Sequence, residues 1–358
     1  MPARLSAVDA VSPAFEHTKR QLFQPFRFRR WARLAVVSLV TGEFAGSSWG
    51  GGNVSLPSGG EGSKDFSPLA WLVDPRWERL QEFLLWIGVL VLLGLALALF
   101  WVYLASVFRF LLLDAVLRDR YELRAGWNRW QQQGLSYFLW QIGFSLLLLV
   151  ALAVTVGLPA FLAWQAGVFR QPDRHAALLV LGGIALFFIV VGIVLLGALV
   201  ALLAKDFVVP LMALENLGVM EGWRRFLPLL AAEKANFAGY VLMKIVLAIG
   251  SAILFGIMNL IVLLVLLIPL ALAGVALVLG GKAAGLAWDP FTISAAVLLG
   301  LAALGAILYV ISFISSPAVF FFQSYTLQFF GGRYPVLAAL LAHPPASGPG
   351  AAVPAPAS

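Results

Sequence analysis

From Ala176 to Ala204 the chain carries no side chain able to form a hydrogen bond. A run of that length as an α-helix crosses a ~30 Å hydrocarbon core. In lipid its backbone can be satisfied internally only as a helix or in a closed barrel. Comparable runs recur at Phe83–Ala105, Tyr137–Ala163, Phe237–Gly280 and Phe291–Ser316. They are continuous rather than alternating, and rich in Leu, Ala and Gly, which argues against membrane strands. The expected fold is therefore all-α, a polytopic transmembrane helical bundle. Composition agrees, with 61% hydrophobic and 11% charged residues, where soluble domains carry ~25% charge. The chain has no cysteine, so disulfide, thiolate and Cys-based metal chemistry are excluded.

A sixth, shorter run, Leu34–Val40, follows Arg27, Arg29, Arg30 and Arg33. It reads in three ways. It is a short span with Arg33 snorkelling, a helix lying in the interface, or a cleaved signal peptide ending near Ala45-Gly46-Ser47. Glu43 fits a span only at its outer end. Charge asymmetry favours the span. Met1–Arg33 holds seven Lys/Arg, Ser106–Gln133 five and Lys205–Asn236 four, whereas the intervening segments hold three, two and one. By the positive-inside rule this alternation gives about six spans in a cell (inner) membrane, with both termini cytoplasmic. The net charge of +7 is thus a membrane-orienting feature and not a nucleic-acid signal. Residues 1–24 form an N-terminal cytoplasmic segment and 25–335 the transmembrane domain. Within that domain 46–67 is a Gly/Ser-rich linker, and 336–358 is an Ala/Pro-rich tail expected to be disordered. Pro269 is expected to break the long run from Phe237, leaving one span and an interfacial or re-entrant piece, with two separate crossings the competing reading, and Pro159 to bend or end its span.

Two stretches look like copies of one unit. Phe110–Trp130 and Phe207–Phe226 each give an apolar arm, a polar turn, then Gly-Trp, a basic residue and an aromatic. Gly126-Trp127-Asn128-Arg129-Trp130 aligns with Gly222-Trp223-Arg224-Arg225-Phe226, and a weaker third arm is Phe320–Gln328. Arg30-Trp31 would be what remains of the first start. The chain then parses into tandem two-span repeats with cytoplasmic amphipathic arms, related by an axis along the membrane normal. Trp31, Trp127, Arg129, Trp130, Trp223 and Arg225 read as interfacial anchors. The same arms also suit a collar that docks a partner. Asp114 with Arg118, and Glu221 with Arg225, have the spacing of helical ion pairs.

The arm FVVPLMALENLGVMEGWRRF, its following aromatic-led span and the terminal AVFFFQSYTLQFF resemble a group of uncharacterised prokaryotic multi-spanning proteins. These are related to the non-catalytic membrane domain of glycerophosphodiester phosphodiesterases. The resemblance covers about Gln24 to Pro335 and implies six or so helices, both termini inside and no known activity. Gln323 stands where that resemblance leads one to expect a basic residue.

Chemistry-bearing residues are sparse. His17, His175 and His343 lie in separate segments, and no HExxH, paired-carboxylate or nucleophile-elbow pattern occurs. The chain is expected to be no enzyme and to need no cofactor or metal. Transport requires polar groups at membrane depth, and the candidate intramembrane polar residues are Lys244 and Asn259. Snorkelling is the default role of Lys244, and an interhelical hydrogen bond that of Asn259. Gly182, Gly183, Gly192, Gly197, Gly250 and Gly256 fit close helix contacts. The reading is a non-catalytic membrane protein that scaffolds or regulates an envelope or lipid-related partner; the alternative is a transporter or lipid-translocating protein. Its partners are the lipid bilayer and either another protein or a second copy. A wet, polar interior would favour transport and a dry one a scaffold.

Overall fold

The structure is a computed structural model that describes residues 5–24, 27–43, 77–118, 123–170, 172–283, 290–334, 337 and 339. Among these there are nine α-helices and no strand. Two short helices, α1 (Val11–Phe23) and α2 (Phe28–Thr41), precede two long ones, α3 (Trp77–Arg118) and α4 (Leu123–Gln165). Then come α5 (Ala176–Leu203), a π-helical turn (Ala204–Val208), α6 (Val209–Glu215), α7 (Val219–Ala232), α8 (Lys234–Ala283) and α9 (Pro290–Gly331). Five stretches are long and apolar enough to cross a membrane: α3, α4, α5 with its π-turn and α6, α8, and α9.

These helices exceed what a bilayer needs. At 1.5 Å per residue, the 42 to 50 residues of α3, α4, α8 and α9 reach roughly 63–75 Å. Each has two halves of opposite character. The most apolar windows of α3, α4 and α8 have no buried residue, and large side chains such as Leu92, Leu147 and Leu254 stand exposed there. The other halves converge, with α1, α2, α6 and α7, on one packed collar. Phe207 is its centre: its ring stacks on Phe226 at 5.1 Å and meets the edges of Phe237 and Tyr240 at 5.1 and 5.0 Å. On the next arm Phe110 stacks on Trp130 at 5.7 Å. Such ring pairs add to the area their burial removes from water.

The chain passes in and out of the collar in strict alternation. α3 enters it, α4 leaves, α5 returns, α8 leaves and α9 returns. The N-terminal helix then closes onto the last one. Tyr325 donates to the Ala7 carbonyl at 2.9 Å and Arg333 to that of Leu5 at 3.1 Å. Both ends of the described chain therefore sit at the same pole.

Several expectations need correction. The Leu34–Val40 run is not one of the five candidate spans. It lies in α2, whose 14 residues reach only ~21 Å, and Trp31, Leu34, Ala35, Val37 and Ser38 are buried against the collar. A left-handed Gly42 (φ 71°) ends α2 by donating back to Ser38 and Leu39. Pro269 does not break α8, nor Pro159 α4; a proline inside a membrane helix is tolerated once local adjustments re-satisfy the freed carbonyl. α9 likewise runs through Pro317 into the terminal arm. Of the six glycines expected at helix contacts, only Gly197 is tight, where an added Cβ would lie 2.7 Å from Leu148. The closest approach is at Gly134, 2.5 Å from Val107 by the same measure. The linker 46–67 lies outside the described residues, as does the tail apart from Leu337 and Ala339.

Candidate functional site: a buried charge cluster and its cleft

The π-turn is the one irregularity in α5, and π-turns tend to occur at functional sites. It carries Lys205 and Asp206 on successive residues beside the collar. Asp206 is 3% exposed. Lys244 of α8, also 3% exposed, donates to its Oδ2 at 2.5 Å. The Tyr240 hydroxyl donates to the same oxygen at 3.0 Å, and Thr326 Oγ1 of α9 lies 2.7 Å from that hydroxyl. Lys205 turns the other way and meets Glu43, just past α2, at 2.6 Å. Arg109 of α3 donates to Tyr137 at 2.8 Å and lies within electrostatic reach of Glu43 and Asp206. Among the described residues Arg109 has no carboxylate partner, and its Nε is buried without an acceptor.

Taking two charges out of water costs several kcal/mol each, recovered only when they pair closely. Here three cations face two carboxylates, so the cluster holds one positive charge in excess. Beside it a cleft of about 300 Å³ opens between α8 and α9. Glu43, Lys205, Asp206 and Lys244 form its charged end; Ala252, Phe255, Val319 and Phe322 line its walls. Asn259 and Ser315 lie farther along, bonded across the helices at 3.1 Å, while Asn259 Oδ1 is buried with no donor. A second, apolar cavity of about 170 Å³ touches Lys244 from the α5 side, lined by Leu195, Leu199 and Val241.

Lys244 and Asn259 thus line one cleft. Lys244 does not snorkel, because Asp206 meets it inside the protein. Asn259 makes the interhelical bond expected of it. The six anchor residues lie elsewhere in the collar. Trp31 and Trp130 are buried, and Trp31 Nε1 donates to the Leu22 carbonyl at 3.0 Å. Trp127 sits edge-on to Tyr103, and Trp223 against Phe226. Arg129 reaches Asp114 at 3.1 Å, and Arg118 shares that carboxylate as its spacing predicts. Arg225 pairs with Glu215 at 2.6 Å rather than with Glu221. Glu43, Arg109, Asp206 and Tyr240 escaped the sequence reading. The available signal was Asp206 itself: a carboxylate bordering an uncharged run needs a buried cation, and Lys244 is the isolated one.

A bundle of long helices with lipid-compatible bands and a packed polar end defines a multi-helix membrane protein. Residues 5–340 match the family described as "Family of unknown function (DUF7544)". The chain belongs to that family. Nothing in the match connects it with glycerophosphodiester phosphodiesterases. No curated protein and no solved structure matches the chain.

Proposed function

We propose that this is a non-catalytic integral membrane protein that scaffolds or regulates an envelope or lipid-related partner through its collar. One observation carries the reading: side-chain packing is concentrated in the collar, while the apolar windows of the spans are almost wholly outward-facing. Spans used this way hold a folded head at the bilayer and leave their outer faces to lipid or to neighbouring helices. The collar would face the cytoplasm of a cell membrane, a reading supported by its richer share of Lys and Arg. The repeat adds to it. The arm pairs Phe110–Trp130 and Phe207–Phe226 stack alike, and the third arm, in α9, packs on α1 where His17 stacks on Phe320 at 5.9 Å. Repeated arms on successive long helices, closed by the N-terminal helix on the last of them, account for both features.

In-cell crosslinking and mass spectrometry test the scaffold. The expected result is a recurrent protein partner linked through the exposed lysine and arginine side of the collar. Recovery of self-links only, or of none, would remove the reading. Lipid movement is the second reading, favoured by the charged cleft. It predicts that Lys244→Ala and Asn259→Ala abolish movement of a labelled lipid in reconstituted vesicles.

A further inference from the structure

We infer that the α8–α9 cleft is a binding site for the anionic head of an amphiphile, a carboxylate or phosphate ester attached to an acyl chain. The inference does not require the scaffold reading and stands whether or not lipid is moved.

Charge is the first ground. Arg109, Lys205 and Lys244 outnumber Glu43 and Asp206, and the uncompensated charge is held where water is scarce. Arg109 stands outside the cleft lining, so a bound anion at the charged end offsets the excess through the field of the cluster rather than by contact with its guanidinium. The shape of the site is the second ground. The charged end opens into walls of Phe255, Val319 and Phe322, and an apolar cavity abuts Lys244 on its far side. Charge at one end and hydrocarbon beyond it matches an amphiphile lying along a membrane helix. Size is the third. About 300 Å³ is at the small end of ligand sites, room for a head and part of one chain rather than a whole two-chain lipid. The orphaned Asn259 Oδ1 farther along the cleft offers an acceptor to a hydroxyl or amide on that ligand.

The experiment uses the full chain in nanodiscs of phosphatidylcholine, with three photoreactive probes: a fatty acid, a phosphatidic acid and a phosphatidylcholine. Adducts are mapped by mass spectrometry. The expected result is labelling of 252–259 and 311–323 by at least one anionic probe, about tenfold above phosphatidylcholine, as ~1.4 kcal/mol of preference would give. Labelling by fatty acid alone identifies a free carboxylate as the source; labelling by phosphatidic acid identifies a lipid phosphate. Ala252→Trp, which fills the cleft without touching the ion pairs, lowers the anionic labelling by a similar factor at unchanged melting temperature. Equal labelling by all three probes in the unmodified protein overturns the inference, as does anionic labelling confined to the outward-facing bands. The first of these readouts needs no variant, so misfolding of Ala252→Trp does not protect the idea.

Discussion

Two ion pairs show how the same residue types differ in weight. Lys244–Asp206 is almost wholly buried, whereas Arg225–Glu215 has its arginine half in solvent. Removing one partner of a buried pair leaves an uncompensated charge and costs ~3–5 kcal/mol, while an exposed pair is worth ~0–1 kcal/mol. Lys244→Ala is therefore expected to lower the melting temperature in detergent far more than Arg225→Ala. The double variant Lys244→Gln with Asp206→Asn removes both charges and should recover much of the loss. Equal effects of Lys244→Ala and Arg225→Ala would show that water reaches the cluster freely. His17 makes a different prediction because it lies on α1, outside the candidate spans. Burial, and then the charge of Arg20, hold its pKa below the ordinary histidine value. The folded chain thus prefers neutral imidazole, placed against Ser324 at 3.0 Å. Stability from this contact is complete above the unfolded value of ~6.5 and is lost as pH falls from there through the depressed folded value. Amide protection factors in α1, corrected for the intrinsic pH dependence of exchange, should fall as pH drops from 7.5 to 5, and His17→Gln should flatten the fall. A wild-type profile without pH dependence would refute it.

At the scale of helices, backbone contact depends on a few glycines. An alanine Cβ at Gly134 would lie 2.5 Å from Val107 Cγ2 and 2.9 Å from its Cα. The second atom is backbone, so no rotamer change relieves the clash and α3 must move from α4. Gly134→Ala should cost about 1–3 kcal/mol, as overpacking does. Gly143→Ala, one helical stretch along and facing open space, should be neutral or slightly stabilising. Thermal melts of the two variants separate close packing from helix propensity; a neutral Gly134→Ala would mean that α3 and α4 are not so near. Sequence could find α3, α4, α5, α8 and α9 because a continuous apolar run has one stable form in lipid. It also pointed to the arms, since Phe110 with Trp130 and Phe207 with Phe226 recur at spacings within one residue of each other, but not to the stacking of their rings. It offered only a hint of Lys244–Asp206, in Asp206 bordering an uncharged run, and none of Glu43–Lys205; the partners are brought together by tertiary packing of α2, the π-turn and α8. Pro269 misled for a related reason: the local rule assumes water is present to exploit a broken hydrogen bond. The short α2 stayed ambiguous because a run of apolar residues signals burial in protein as well as burial in lipid.

For the whole molecule, the alternation of long helices through the collar fixes which segments share a side. The turn between α4 and α5 carries exposed Arg174, and its flanking helices Leu123–Gln165 and Ala176–Glu215 are both candidate spans. Exposed Arg224 of α7 lies between Ala176–Glu215 and Lys234–Gly281, at the collar end. One crossing, that of α5, separates the two positions. The chain has no cysteine, so single-cysteine variants can be introduced without a background to remove. Arg174→Cys should react with a membrane-impermeant maleimide in intact cells, and Arg224→Cys only after permeabilisation. The excess of cations at the collar end is the ground for expecting this orientation rather than its inverse. Residues near Leu5 and Arg333 share the collar pole, so Ala7→Cys should behave like Arg224→Cys despite lying more than two hundred residues away. Both collar positions labelling from outside while Arg174→Cys stays protected would invert the orientation and keep the fold. Arg174→Cys and Arg224→Cys labelling from one side would mean that α5 does not cross, and the bands of exposed leucine along these helices would then need a protein cover instead of a bilayer.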